Sequence, residues 1–275
     1  AAGKIAMGSG KVFICGGVER MSRVTAGFNP MPFPKLDEEN PNVYFSMGIT
    51  AENVAKKYNL SRKEQQDFSI SSHEKAAIAQ KNGKFENEIT KINNCFKDGG
   101  IRPETNQKVL DGLKLAFDQE GTITAGTSSP LTDGAATTLI CEEQYAKDNN
   151  LDILARIIST SVQGCAHELM GLGPIGASQK ALKRAKLSIK DIDIVELNEA
   201  FASQSLACIN DLGIDKNKVN LDGGALALGH PLGATGARIT GKAAEILRRE
   251  NKKYALTTQC IGLGMGIATV IETVN

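Results

Sequence analysis

The sequence predicts an α/β protein in which buried strands alternate with helices that cover a sheet on both faces, built in duplicate and interrupted by a helix-and-loop insertion. Three observations carry this reading. Strand and helix signatures alternate over the last 120 or so residues, from "ARIISTSVQG" to "IATVIETV". Residues 28–115 break that alternation, and the prolines of "FNPMPFPKLDEENPN" mark a loop near their start. Lastly, "GAATTLICE" from Gly134 echoes "GIATVIET" from Gly266, each after a Gly- or Ser-rich turn. Two such β–turn–β endings point to a duplicated unit whose first copy is only partly present.

In chain order, "AAGKIAMGSG" reads as the end of a helix stopped by Gly8 and Gly10. Isolated helices need ~12–15 residues, so the chain is expected to begin inside an element, with any targeting signal upstream. "KVFICGG" is an apolar run ended by a glycine pair, a buried strand meeting a turn. "SMGITAENVAKKYN" and "SRKEQQDFSISSHEKAAIAQKNGKF" read as helices. The second opens with Ser61 and Glu64 at capping-box spacing, and Gly83 supplies its stop. Then follow a strand ("ARIISTSVQG"), a helix ("PIGASQKALKRAKL"), a strand ("DIDIVEL") and a helix ("EAFASQSLACINDLG"). A further helix ("ATGARITGKAAEILRREN") precedes two strands, "KYALTTQC" and "IATVIETV".

Bulk properties exclude several function classes. The 275 residues are 41% hydrophobic and 23% charged with a formal net charge of +1, so no basic footprint for nucleic acid appears. No apolar run approaches the ~20 residues of a membrane-spanning helix. Tryptophan is absent, and the six cysteines contain no C-x-x-C pair. That spacing suits neither a zinc site nor a secreted disulfide framework and favours reduced thiols in a cytosol-like compartment.

Three segments concentrate unusual chemistry. "ELNEAF" lies where a strand passes into a helix, and the plain reading of Asn198 is a helix cap. "NLDGGALALGHPLGATG" sets His230 among five glycines, where it could be a simple turn residue. "QCIGLGMGIA" puts Cys260 at a strand end, where a buried cysteine is commonly a small hydrophobe. Its G-x-G-x-G runs into a strand rather than a helix, which argues against a dinucleotide loop. Together the segments offer a thiol, an imidazole, a carboxamide and bared N–H groups at strand ends and glycine-rich turns. Such an inventory fits acyl transfer or enolate chemistry at a thioester.

These three motifs, in this order and at these separations, resemble the C-terminal signature set of the thiolases. "GGVERMS", "IRPET", "TAGTSSPLTDGAA" and "MGLGPI" match as well, so the resemblance covers essentially the whole chain. It implies duplicated βαβαβαββ domains with mixed sheets, the first domain incomplete. Residues 1–27 would then be the remainder of the N-terminal domain and 28–115 the insertion. Residues 116–150 would end the N-terminal domain, and 151–275 would form the C-terminal one. The implied activity is thiolytic cleavage of 3-ketoacyl-CoA, or the reverse condensation, with coenzyme A as substrate and no further cofactor or metal. Leu263 and "AGTSS" are similar to the β-subunit type of bacterial fatty-acid-oxidation complexes, favouring that branch over acetoacetyl-CoA thiolases.

By resemblance, Cys260 is the general acid/base, and His230 activates the nucleophilic cysteine and donates to the thioester oxyanion. Asn198 holds a water in that hole, and the Gly262 N–H belongs to a second one. Ser129, Met170 and Phe201 line the CoA and acyl tunnel. His167 stands where relatives usually carry Asp-Pro. No cysteine here matches the family nucleophile; Cys15 follows the wrong element. A non-catalytic CoA-binding module is therefore an alternative, whereas a cysteine hydrolase would place its nucleophile at a strand-to-helix elbow. The family implies at least a homodimer, a multifunctional α-subunit for the fatty-acid-complex type, and a cytoplasmic setting.

Overall fold

The computed structural model describes residues 1–24 and 32–274. Helix α1 (Ala2–Ala6) gives way to left-handed Gly8, as the sequence predicts, and leads into β1 (Val12–Arg20). One expectation needs correcting: the glycine pair does not end this strand. It continues through Gly16 and Gly17 in antiparallel register with β2 (Asp133–Cys141), with Ile14 opposite Leu139 and Gly17 opposite Ala136. Packing is the reason, because a Cβ on Gly17 would overlap the carbonyl oxygen of Gly233. Strand and helix backbones meet there, and only glycine fits.

Between β1 and β2 come α2 (Pro34–Glu39), α3 (Met47–Lys57), α4 (Arg62–Lys81) and α5 (Gln107–Asp111). Part of the loop expected at 28–42 is thus helical; its first residues, 28–31, lie outside the described residues. Pro34 opens α2 because proline pre-sets φ and gives up only an N–H that has no helical partner. Ser46 caps α3, and the predicted capping box opens α4. There the Ser61 hydroxyl accepts from the Glu64 N–H at 3.2 Å, while the Ser61 N–H donates to the Glu64 carboxylate at 2.8 Å.

After β2 the chain forms α6 (Glu143–Asp148), β3 (Arg156–Gly164), α7 (Gly173–Ala185), β4 (Ile194–Leu197) and α8 (Ala202–Leu212). It ends with α9 (Ala225–Leu228), α10 (Leu232–Arg249), β5 (Tyr254–Ile261) and β6 (Met265–Glu272). The sheet order is β3-β6-β5-β4, parallel only between β4 and β5, so the sheet is mixed. Helices α7 and α8 cover one face through Ala177, Ala181, Cys208 and Ile209 against Leu197, Leu256 and Val270. Helix α10 covers the other through Ala243, Ile246 and Leu247. Its opposite side carries β1 and β2, so α10 lies between the two sheets.

The duplication is visible in this arrangement. Helix α1 precedes the antiparallel pair β1–β2, as α10 precedes β5–β6. Residues 262–264 join the second pair, whereas residues 21–132 join the first; the insertion replaces a hairpin turn. Buried charge pins it down. Lys242 on α10, 2% exposed, pairs with Asp222 at 2.7 Å and with Glu88 of the insertion at 2.5 Å, above the ring of Phe85. All six cysteines are free. Among the described residues no helix is long and apolar enough to cross a membrane.

The backbone contact predicts an asymmetry between two glycines. Gly17→Ala should lose about 1–3 kcal/mol, the usual cost of overpacking, read as a lower urea midpoint at unchanged slope. Gly3→Ala, whose Cβ would meet nothing within 4 Å, should be neutral or slightly stabilising.

Candidate active site

Strand β4 delivers the first site residue. Beyond Leu197 its pairing with β5 continues through the Asn198 N–H, which donates to the Thr258 carbonyl at 2.9 Å. Asn198 is fully buried, and neither Oδ1 nor Nδ2 has a hydrogen-bond partner. It is not a helix cap: Phe201 occupies that position before α8, without a side-chain hydrogen bond. A buried carboxamide with two free valences is suited to hold a water or a substrate oxygen.

Its neighbour Glu199 locks the segment in place. The Glu199 carboxylate accepts from the Ser72 hydroxyl of α4 at 2.6 Å, from Asn220 Nδ2 at 2.7 Å and from the Leu226 N–H at 3.1 Å. Asn220 also clasps Leu197, accepting from its N–H and donating to its carbonyl, both at 2.9 Å. Sequence reasoning passed over Glu199 and Asn220 as functional residues, although both lie inside the motifs it singled out. Their partners sit 21 to 127 positions away, and no local rule finds such pairs.

His230 stands just before α10. Its N–H donates to the Thr132 hydroxyl at 3.0 Å, and its Nδ1 lies 2.7 Å from the Thr235 hydroxyl. That hydroxyl gives its own proton to the Pro231 carbonyl at 3.1 Å, so it accepts from Nδ1–H. The remaining ring nitrogen, Nε2, therefore carries the lone pair of the neutral imidazole. Burial, with the Arg238 guanidinium nearby, lowers the His230 pKa to about 4. At neutral pH the ring is an unprotonated base.

Cys260 is the opposite case. It lies near the end of β5, 8% exposed, packed with Met170, Ala200 and half-buried Phe201. Burial pushes its thiol up to about 12, so it rests protonated, as a proton donor rather than a nucleophile. Three residues then turn the chain into β6. Gly262 is exposed, Leu263 is left-handed at φ +67° and Gly264 has φ +90°. A leucine in that conformation costs roughly 1–2 kcal/mol, and external hydrogen bonds hold it. His167 Nδ1 lies 2.5 Å from the Leu263 carbonyl, and the Cys165 N–H donates to the Gly264 carbonyl at 2.8 Å.

The structure thus gathers Cys260, Met170 and Phe201 into one apolar cluster, with Gly262 two residues beyond the thiol. Residues 128–132 join the rest to it. Ser128 bridges Phe201, the Ser129 N–H donates to the Ala200 carbonyl at 3.0 Å, and Thr132 holds the backbone of His230. No hydrogen bond joins His230 directly to Cys260 among the described residues. The two groups come from different elements, His230 from the turn before α10 and Cys260 from the end of β5.

Comparison with known proteins extends these observations. The family model described as "Thiolase, N-terminal domain" matches residues 1–144, and "Thiolase, C-terminal domain" matches residues 151–273. A 3-ketoacyl-CoA thiolase of Shewanella loihica is 46% identical, covering 99% of this chain and 74% of that protein. One from Vibrio vulnificus is 44% identical, over 98% and 73% of the respective chains. A crystal structure of human mitochondrial 3-ketoacyl-CoA thiolase in complex with CoA superposes with a TM-score of 0.90 at 38% identity. It covers 99% of this chain and 73% of that one.

The state of His230 can be read directly by NMR. Its ring should remain neutral and protonated on Nδ1 from pH 7 down to near pH 4, against an ordinary value of 6.5, and Thr235→Val should mix the tautomers. Titration at 6.5 would remove the base. The same depression lowers folding stability as pH falls from 6.5 toward 4, because the unfolded chain binds the proton first.

Proposed function

The chain belongs to the thiolase family, and from that premise we propose that it performs the acyl transfer of fatty-acid β-oxidation. In that reaction 3-ketoacyl-CoA and CoA become acetyl-CoA and an acyl-CoA shortened by two carbons, or the reverse. One observation carries the reading. A buried thiol with its pKa raised to about 12 shares a cluster with Met170, Ala200 and Phe201, and Ala200 lies two residues beyond Asn198, a buried carboxamide with no partner of its own.

The chemistry follows from these states. A cysteine thiolate attacks the 3-keto carbonyl of the substrate, and the C2–C3 bond breaks toward C2. The departing acetyl-CoA enolate takes its proton at C2 from the Cys260 thiol. The resulting Cys260 thiolate, made strongly basic by burial, then removes the proton of the incoming, solvated CoA thiol. CoA sulfur attacks the acyl-enzyme, and the cycle closes. His230, neutral with its lone pair on Nε2, takes the proton of the attacking cysteine and afterwards donates a hydrogen bond to the thioester oxygen. Asn198 supports that same oxygen through a water, and the Gly262 N–H supports the tetrahedral alkoxide. Ser129, Met170 and Phe201 line the tunnel for the acyl chain and CoA.

We assign the nucleophile to none of the six cysteines of this chain. Cys260 is held protonated, and Cys15 is paired within β1, opposite Thr138. The protein acts as an oligomer, at least a dimer. In support, Ile14, Val18 and Leu139 share the outward face of the β1–β2 pair and are 80%, 72% and 53% exposed. Such a face is a natural contact surface.

In the intact protein, Cys260→Ala should abolish thiolysis yet still acquire the acyl group, seen as a mass increment. His230→Ala should slow acylation by roughly 10²-fold or more, the usual worth of a positioned base. Turnover of Cys260→Ala within about tenfold of wild type, a small part of that worth, would exclude Cys260 as the acid/base.

A further inference from the structure

The β5–β6 hairpin holds an unfavourable conformation at Leu263. Among the described residues, the other non-glycine positions with positive φ are asparagines and Lys186. Asparagine tolerates this region through local hydrogen bonding, whereas a leucine side chain offers no such compensation. What holds Leu263 comes from a segment nearly a hundred residues earlier. His167 Nδ1 meets the Leu263 carbonyl at 2.5 Å, and because a carbonyl only accepts, Nδ1 carries the proton. That bond persists whether the imidazole is neutral or charged. The Cys165 N–H takes the next carbonyl, that of Gly264, at 2.8 Å. A Cβ on Gly264 would stand 2.7 Å from the Cys165 carbonyl and 3.0 Å from His167 Nδ1, so the two segments are in tight contact.

The clamping segment is itself fixed. Asn53 of α3 donates to the Glu168 carbonyl at 3.1 Å, and Met170, three residues after His167, packs on Cys260. The φ and ψ of Leu263 set the peptide that follows it against the peptides that precede it, where the Gly262 N–H lies. From this geometry we infer that His167 is a positioning residue for the reacting hairpin: by holding the Leu263 carbonyl it sets the direction of the Gly262 N–H relative to Cys260. The inference deepens the proposed function and rests on the role given there to Gly262. His167 touches neither substrate nor reacting atoms; it acts through the loop.

The test compares His167→Ala with His167→Asn, whose carboxamide nitrogen can reach the place of Nδ1. In the intact protein, His167→Ala should lower kcat for thiolysis by about ten- to a hundredfold, the effect of misplacing a group by about an ångström. The KM should stay within about twofold, because the interaction lost is one made in the transition state. His167→Asn should restore most of kcat. Amide hydrogen exchange across residues 260–266 should accelerate in His167→Ala and return toward wild type in His167→Asn. Leu263→Gly, which relieves the left-handed strain, should shrink the effect of His167→Ala. Wild-type kcat and exchange in His167→Ala, or equal losses in both variants, would overturn the inference. If the wild-type protein performs no thiolysis, the proposed function fails, and the exchange comparison still decides whether His167 holds the hairpin.

Discussion

Helix α10 lies between two sheets, in backbone contact with β1 on one side, and most of the molecule is arranged around that constraint. Gly17 and Gly233 let strand and helix main chains meet, while the other side of the helix fills the core under β4, β5 and β6. A helix held this closely on two sides has little freedom to shift, because dense interiors respond to small displacements as strain. His230 is placed by the residues that enter this helix, with Thr235 of its first turn orienting the ring. The position and tautomer of the His230 ring are thus consequences of how α10 packs.

The same burial acts with opposite sign on the two titrating groups. Removing water disfavours whichever form is charged, so His230 is driven toward neutral base and Cys260 toward neutral acid. At His230 the nearby Arg238 guanidinium pushes in the same direction. Two groups whose environments push their pKa values apart can divide acid from base work, and here desolvation is the largest cause at both. In the proposed reaction it also separates the two thiol roles, since a protonated buried cysteine suits proton donation while attack on a carbonyl requires a thiolate.

The insertion is part of the site's support. Ser72 of α4 reaches the Glu199 carboxylate and also accepts from the Gly224 N–H at 3.1 Å, so one hydroxyl spans the "NEAF" segment and the glycine-rich loop. Asn53 of α3 holds the segment that carries His167 and Met170. The buried Lys242 cluster then fastens the insertion to α10. Removing one member would leave an uncompensated buried charge, which binds these elements into one unit.

Local rules made much of this legible in the sequence. The capping box at Ser61 and Glu64, the glycine stops and the period of α4, α7, α8 and α10 each depend on residues a few positions apart, and the motifs carried the family with them. What tertiary structure alone decided involves partners far apart in the chain. A glycine pair reads the same whether it bends a strand or admits a helix, and only Gly233 shows which at Gly16–Gly17. Asn198 reads as a cap until the strand pairing that buries it is known. Asn220, Thr132, Thr235 and His167 act on residues whose proximity is set by α10 and the sheet, through contacts no spacing encodes. Residue types and their order determined which chemistry was available; long-range packing decided which groups are buried, which protons they hold and what each one faces.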